Sequence, residues 1–366
     1  MTTLTQVLDA HLEPLLQNYR IPAYQLKALK AYRSCRTKRL GGHSQYCENG
    51  HLMGVWYNSC KRRGCPQCQG LSNERWLLSQ KEKLLAATHH HWVFTLPHDL
   101  LPLWRYNRRL MQDILFQSVA RTLAQLAQDR QYLAARPAFL LALHTWGRNL
   151  SLHPHIHCLI AHGGLNADGD WQSPRKSCLF PAKVMMQLFR GKYLAALKAS
   201  HELQLPPDMR PSQFRRLLNR LGRTDWVVHC CKPYRHGRGV ARYLSRYVKT
   251  GPLKNRQLLG FDRDGVTFGY QSHRHTRRSK ARFEWRQFIL RLCEHVPQHL
   301  KAMVRHYGLY HGGSQALLDA ARKQLGQPLK KTTVSLTWQE YLQQYVQAPM
   351  CAKCGASLMG ISQPAG

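Results

Sequence analysis

The sequence predicts an α+β protein with a small metal-stapled module at its amino-terminal end. Strand-like and helical segments are mixed along the chain, with more helix than strand, which is the pattern of that class. Residues 35–70 break the pattern, being dense in Cys, Gly, His and Asn and poor in aliphatics. A third signal is a short run in which histidines occupy every second position, His153-Pro-His155-Ile-His157.

Element by element, leucines at helical spacing (Leu4, Val7, Leu8, Leu12, Leu15, Leu16) predict a helix within residues 3–33, with a second short one after it. Past the cysteine-rich stretch, Leu71–Ala87 has the periodicity of a connecting helix. His91–Leu96 reads as a strand stopped by Pro97, and Leu103–Leu133 as one long amphipathic helix. Two further strands are expected at Ala138–His144 and His153–Ala161, joined by a polar loop, with Gly163-Gly164 ending the second. Helices follow at Ala182–His201 and Ser212–Leu221, a strand at Asp225–Lys232, and a helix from about Val240 to Lys249. A strand near Gly265–Gln271 and helices at Arg282–Glu294 and Ser314–Leu325 complete the pattern.

Composition narrows the function. Lys plus Arg is 54 against 19 Asp plus Glu, a formal net charge of +35. Such an excess points to a polyanionic partner. Hydrophobic residues make up 43% of the chain, enough to argue against wholesale disorder. No apolar run approaches the roughly 18–20 residues of a membrane span, and the first residues, with Asp9 and Glu13 among leucines, suit an amphipathic helix better than a signal peptide. The expectation is a cytoplasmic protein with no membrane partner.

Twelve cysteines are present, five of them between Cys35 and Cys68. In a chain of this type, clustered Cys with interleaved His favours metal ligation over disulfides. Cys35, His43, Cys47, His51, Cys60, Cys65 and Cys68 offer seven candidate ligands within 34 positions. Cys65-Pro-Gln-Cys68 is the tight knuckle that brings two thiolates to one tetrahedral Zn²⁺, and Cys47-x-x-x-His51 supplies another pair. Seven ligands suit one ion with residues to spare, or two sites with one ligand from elsewhere. Closed sites of this kind make the zinc structural. Cys351-x-x-Cys354-Gly at the far end is half of another knuckle. It would either complete a site with an amino-terminal ligand or be a tail; with no second pair nearby, the tail or an unfilled half-site is the preferred reading.

On a strand, alternate side chains share a face, so His153, His155 and His157 project together, with neighbouring Cα atoms roughly 6–7 Å apart. Two neutral imidazoles and a third ligand leave coordination positions open, which is what a metal needs to polarise a phosphate oxygen. His153 is the nearest third ligand; Asn149, His144 or a residue of the later tyrosine helix are alternatives.

Tyr243 and Tyr247 are four residues apart, hence on one face of a helix, with Arg242, Arg246 and Lys249 lining an adjacent stripe. Between Arg210 and Arg256 there are 13 Lys or Arg and one acid, Asp225. Such a segment suits a phosphate backbone, with aromatics available to stack on bases. A phenol beside a histidine-held metal can act as a phosphoryl nucleophile.

The pairing of His155-Ile156-His157 with Tyr243-x-x-x-Tyr247 resembles the HUH-class, two-tyrosine rolling-circle transposases of bacterial insertion sequences, the IS91-like group. The likeness spans most of the chain. Cys35-Arg-Thr with Leu40-Gly-Gly-His43, Tyr57-Asn-Ser-Cys60 and Cys65-Pro-Gln-Cys68-Gln resemble that group's amino-terminal zinc-binding domain. Val93-Phe-Thr-Leu-Pro97, Leu188-Phe-Arg-Gly-Lys192 and Arg305-His-Tyr-Gly-Leu309 are similar to its recurring segments. Where the family usually has Cys-x-x-Cys-Gly, this chain has Cys47-Glu-Asn-Gly-His51, so that His51 stands in place of a thiolate.

The resemblance implies an antiparallel-sheet HUH endonuclease core with flanking helices. It implies a helical and zinc-binding DNA-binding module at 1–88, a catalytic domain at 89–310 and a carboxy-terminal helical tail at 311–366. It also implies Mg²⁺ or Mn²⁺ at His155 and His157, structural Zn²⁺, and a tyrosine nucleophile that forms a 5′-phosphotyrosine link. The implied partner is single-stranded DNA at insertion-sequence ends and target, gripped in part by Arg238, Arg242, Arg246 and Lys249. The implied setting is the bacterial nucleoid, and a homo-oligomer is allowed. No GxxxxGK[ST] loop is present, in keeping with chemistry that conserves bond energy without a nucleotide. A relaxase or replication initiator would share this chemistry, and a non-catalytic zinc-dependent DNA-binding protein would share the charge. A three-carboxylate transposase is disfavoured, since residues 130–260 offer only Asp168, Asp170, Glu202, Asp208 and Asp225.

Overall fold

The computed structural model describes residues 2–175, 178–231, 234, 251–272, 278–298, 300–329, 335–345, 350–356 and 358–364. The leucine pattern folds as α1 (Leu4–Asn18), opened by a reciprocal cap in which Thr3 Oγ1 accepts from Gln6 N–H and Gln6 Oε1 accepts from Thr3 N–H. Helix α2 (Ala23–Ser34) ends at Cys35. The cysteine-rich stretch then forms a hairpin, β1 (Gly42–Cys47) and β2 (Leu52–Tyr57), and α3 (Gly70–Lys83) leads away from it.

Next come β3 (His89–Thr95), α4 (Leu101–Tyr106), α5 (Arg108–Gln128), β4 (Arg136–Trp146), β5 (Leu152–Leu165) and the short β6 (Trp171–Gln172). Helices α6 (Ala182–Ala199) and α7 (Pro211–Arg223) precede β7 (Val228–Cys230). A meander follows, β8 (Leu258–Phe261), β9 (Gly265–Gln271) and β10 (Arg278–Glu284), then the helix Trp285–Glu294 and β11 (Val304–Gly308). The chain closes with helices Gln315–Gln324 and Trp338–Tyr345 and with β12 (Leu358–Pro364). Among the described residues, no helix is long and apolar enough to cross a membrane.

The central sheet is antiparallel, in the order β11-β4-β5-β3-β7, with β6 added to the end of β5. Its inner strands β3, β4 and β5 are buried on both faces, and alternation divides their side chains between two cores. Phe94, Leu141, Leu143, Ile156 and Cys158 meet α5 and α6 through Phe116, Phe189 and Tyr193. The other face packs Leu140, Ala142, Leu159 and Ala161 against Leu85, Tyr310 and Leu318. A third core joins α1 and α2 to β8, β9 and the helix Trp285–Glu294 through Leu8, Leu12, Leu29, Phe268, Phe288 and Leu292. The observed class is therefore the expected α+β, with helices flanking an antiparallel sheet. Packing nevertheless runs across the expected boundaries at 88 and 310: the amino-terminal helices share a core with residues 258–296, and β12 pairs with β1.

Several elements depart from expectation. The single helix over Leu103–Leu133 is broken at Asn107, whose amide donates to the carbonyls of Leu103 and Gln204 and accepts from Gln204 N–H, competing with the helix for backbone groups. The helix expected from Arg282 begins at Trp285, because Arg278–Glu284 is a strand; its exposure alternates along Arg278-Ser-Lys-Ala-Arg-Phe-Glu, the period of a sheet edge. Strand β5 runs past Gly163-Gly164 to Leu165, because Gly163, at φ 152°, leaves room for the Trp171 ring that a Cβ would meet at 2.5 Å. Pro154 lies within this central strand, beside the register shift between His144 and Trp146, where the ladder asks for no N–H from it.

Candidate active site and metal centres

Three imidazoles meet on the face of the central sheet that carries Leu159 and Ala161. His155 and His157 come from β5, and His144 comes from β4, directly opposite His155 in the ladder. One donor atom from each of the three lies within 4.8 Å of the others. The Nε2 atoms of His155 and His157 are 3.1 Å apart. Ligands at right angles around an ion, each at about 2.1 Å, lie about 3.0 Å apart, so the pair fits two neighbouring positions of an octahedral cation.

Hydrogen bonds orient both rings. His155 Nδ1 lies 2.6 Å from the carbonyl of His153 and donates to it, which leaves Nε2 with its lone pair. His157 Nδ1 lies 2.9 Å from Nε2 of His91 on β3. Burial holds His155 and His91 down to about 4 and pushes His157 well below the ordinary histidine value. All three rings are therefore neutral at pH 7, the form in which imidazole ligates metal.

His153 takes another direction. It sits within the register shift, half-exposed, with Nδ1 3.2 Å from Nε2 of His98. The third imidazole gathered with His155 and His157 is thus His144 and not His153. The sequence carried the signal only weakly, since a single histidine on a strand is ordinary until its cross-strand neighbour is known.

Tyr243 and Tyr247, with Arg238, Arg242, Arg246 and Lys249, lie outside the described residues. The chain on either side of them is placed. Tyr234 bridges to His89 on β3, N to O at 3.0 Å in both directions. Gly251, on the far side, packs on Gly64 so closely that a Cβ there would stand 2.4 Å from the Gly64 carbonyl oxygen.

Gly64 belongs to a cysteine cluster. Cys35 at the end of α2, Cys60 after β2, and the knuckle Cys65-Pro-Gln-Cys68 before α3 bring four sulfurs within 4.8 Å. Cys60 and Cys68 are 3.7 Å apart, and Cys35 and Cys65 are buried. Thiols this close titrate as one group: hydrogen bonding with Cys35 drives Cys65 up and Cys68 down, so ionising one keeps a neighbour protonated. A Zn²⁺ removes that conflict by letting all four deprotonate, and a closed set of four thiolates is a structural zinc site.

Cys47 and His51 are gathered apart from these four, with Cys351 and Cys354. The carboxy-terminal pair, read from sequence as a tail or an unfilled half-site, therefore reaches the amino-terminal hairpin. His43 joins neither cluster; it is exposed on β1, opposite Trp56.

A basic surface lies on α7. Leu218 and Leu221 turn inward, while Arg215, Arg216, Arg220 and Arg223 are exposed. Arg220 pairs with Asp99 at 2.7 Å. The remaining cations form a stripe suited to phosphates.

Comparisons agree with this arrangement. Residues 7–96 match the family described as "Transposase zinc-binding domain", and residues 138–316 match the family described as "Putative transposase". The protein named "Putative transposase y4qJ" of Sinorhizobium fredii is 32% identical over 90% of this chain and 85% of its own length. The "Transposase for insertion sequence element IS801" of Pseudomonas savastanoi pv. phaseolicola is 32% identical over 80% of this chain and 72% of its own. Among solved structures, the conjugative relaxase TrwC in complex with OriT DNA matches 43% of this chain and 71% of that one, at 13% identity and a TM-score of 0.23, too slight a likeness for anything to be read across from it. On the strength of the two families and the two relatives, the chain belongs to the IS91-like insertion-sequence transposases that carry an amino-terminal zinc-binding domain.

Proposed function

We propose that this transposase cuts and rejoins single-stranded DNA through a 5′-phosphotyrosine intermediate, in rolling-circle transposition. The observation that carries the reading is the trio His144, His155 and His157, buried and converging from two adjacent strands. These residues would hold Mg²⁺ or Mn²⁺, which when bound polarises the scissile phosphate.

The phenol of Tyr243 or Tyr247 attacks phosphorus and gives up its proton. The bond from phosphorus to the 3′ oxygen breaks, and that oxygen takes up a proton as a free 3′-hydroxyl. The other tyrosine repeats the step on a second strand while the first link persists. Attack of a 3′-hydroxyl on a phosphotyrosine restores the phosphodiester and frees the phenol, so no nucleotide is consumed. Arg238, Arg242, Arg246 and Lys249, with the exposed arginines of α7, hold the phosphates of insertion-sequence ends and target.

The test uses purified protein, labelled single-stranded DNA bearing the element's end, and Mn²⁺ or Mg²⁺. An SDS-resistant adduct should form with either metal. It should disappear in the Tyr243→Phe/Tyr247→Phe double variant and fall at least ~100-fold in His155→Ala, on the scale of losing a positioned electrostatic group. His144→Ala should weaken binding of Mn²⁺, read by calorimetry, while His153→Ala leaves it unchanged. Tight DNA binding with no adduct under any metal would reject the catalytic reading in favour of a DNA-binding protein without cleavage.

A further inference from the structure

The cluster of Cys47, His51, Cys351 and Cys354 has no part in the chemistry above, and the match to the zinc-binding family, residues 7–96, contains only its first two members. The four donor atoms lie within 4.8 Å of one another. Cys47 Sγ is 3.7 Å from Cys354 Sγ, and His51 Nδ1 is 3.4 Å from Cys47 Sγ and 3.8 Å from Cys351 Sγ. In a tetrahedron with Zn–S of about 2.3 Å and Zn–N of about 2.0 Å, the sulfur–sulfur edge is about 3.8 Å and the sulfur–nitrogen edge about 3.5 Å. The observed spacings are those edges. They are far from a disulfide, whose sulfurs are about 2.05 Å apart.

The backbone on both sides has the form of a zinc knuckle. Gly50, at φ 75°, turns the chain between Cys47 and His51, and its N–H donates to the Cys47 carbonyl. Gly355, at φ 71°, does the same behind Cys354, its N–H donating to the Cys351 carbonyl. Amide donors also face the sulfurs: His51 N–H on Cys47, Lys353 N–H on Cys351 and the Asn49 side chain on Cys354. Such outer contacts stabilise thiolates.

The surrounding sheet needs a fastening. Strand β12 pairs with β1, and β1 with β2, yet Leu52, Val55 and Tyr57 are exposed on β2. A three-stranded sheet with so little buried apolar surface is weakly held by packing alone.

We infer that Cys47, His51, Cys351 and Cys354 bind a second structural zinc, which clasps β12 to the amino-terminal hairpin. Three thiols lose their protons to solvent and a neutral imidazole completes the set. The zinc-binding domain is then discontinuous, built from both ends of the chain. A clip between residues 307 positions apart also removes much of the unfolded chain's freedom, where loop-closure arguments put the largest gain.

Zinc content of the full-length protein, purified in zinc and measured by mass spectrometry with a thiol count, tests this; all samples carry His155→Ala/His157→Ala so that the sheet's imidazoles hold no ion. With both cysteine clusters intact, the protein should carry two zinc ions per chain. Cys351→Ser/Cys354→Ser on that background should carry one and show faster proteolysis near the carboxy-terminal end, while His51→Cys, which keeps four ligands, should keep two. One zinc with both clusters intact would overturn the inference, as would two in the Cys351→Ser/Cys354→Ser variant. A Cys351–Cys354 disulfide in the protein as isolated, with only the first cluster loaded, would overturn it as well.

Discussion

The central sheet and the cysteine module hold their ligands by opposite means. His144, His155 and His157 ride on strands flanked by paired neighbours and packed on both faces, so their positions are set before any ion arrives. The sulfurs of the first cluster come from a helix end, a loop and a knuckle, and those of the second from two turns on an exposed sheet. In the first region the fold makes the site. In the second, bound zinc would make the fold.

Removing zinc is the most forceful way to break that contrast. Structural zinc contributes on the order of 10 kcal/mol in small modules. A strong zinc chelator should therefore unfold the hairpin and both knuckles. Hydrogen exchange should rise across residues 42–68 and 350–364 while β3, β4 and β5 stay protected. Equal loss of protection in β5 would show that the two regions are one cooperative unit.

The reverse experiment cuts into the sheet. Ile156 is fully buried between the two histidines of β5. Ile156→Ala should cost about 2–5 kcal/mol, read as a lower midpoint in denaturant, while zinc content is unchanged. Loss of zinc in that variant would again tie the regions together.

Acid sharpens the comparison least, because it reaches both. His89, His295 and His306 sit in or beside the sheet, and burial lowers each to about 4 from an ordinary 6.5. Each is neutral in the fold, so between about pH 6.5 and 4 the unfolded chain binds the extra proton. Stability is full above pH 6.5, declines as pH falls and reaches its minimum below 4. The fully buried His89 alone accounts for about 3 kcal/mol at most. A metal-free sample whose denaturation midpoint does not change between pH 7 and 5 would contradict the burial of these rings.

Much of this architecture was legible before any coordinates. Alternation alone placed His155 and His157 on one face, and the Cys65–Cys68 spacing alone announced a knuckle, because both signals are local. His144 was only one of several third ligands, since its place depends on which residue of β4 stands opposite His155. Cys351 and Cys354 read as a tail or an unfilled half-site in preference to a completed site, because their partners lie some 300 residues away, a distance no spacing rule spans. The strand Arg278–Glu284 was partly absorbed into a helix, its alternation being carried by charges and not by apolar residues. Asn107 hid a helix break because an asparagine within a long periodic run does not reveal whether its side chain has a carbonyl to compete for.

The contact between Gly64 and Gly251 gives the first cluster a second job. Gly64 immediately precedes the knuckle, and Gly251 lies four residues after Tyr247. The knuckle is thus an anchor post at one end of that stretch, as β3 is at the other, where His89 bonds Tyr234. A lost thiolate at Cys65 moves the post. If the proposed cleavage holds, Cys65→Ser should lower the yield of the SDS-resistant adduct with every imidazole still in place.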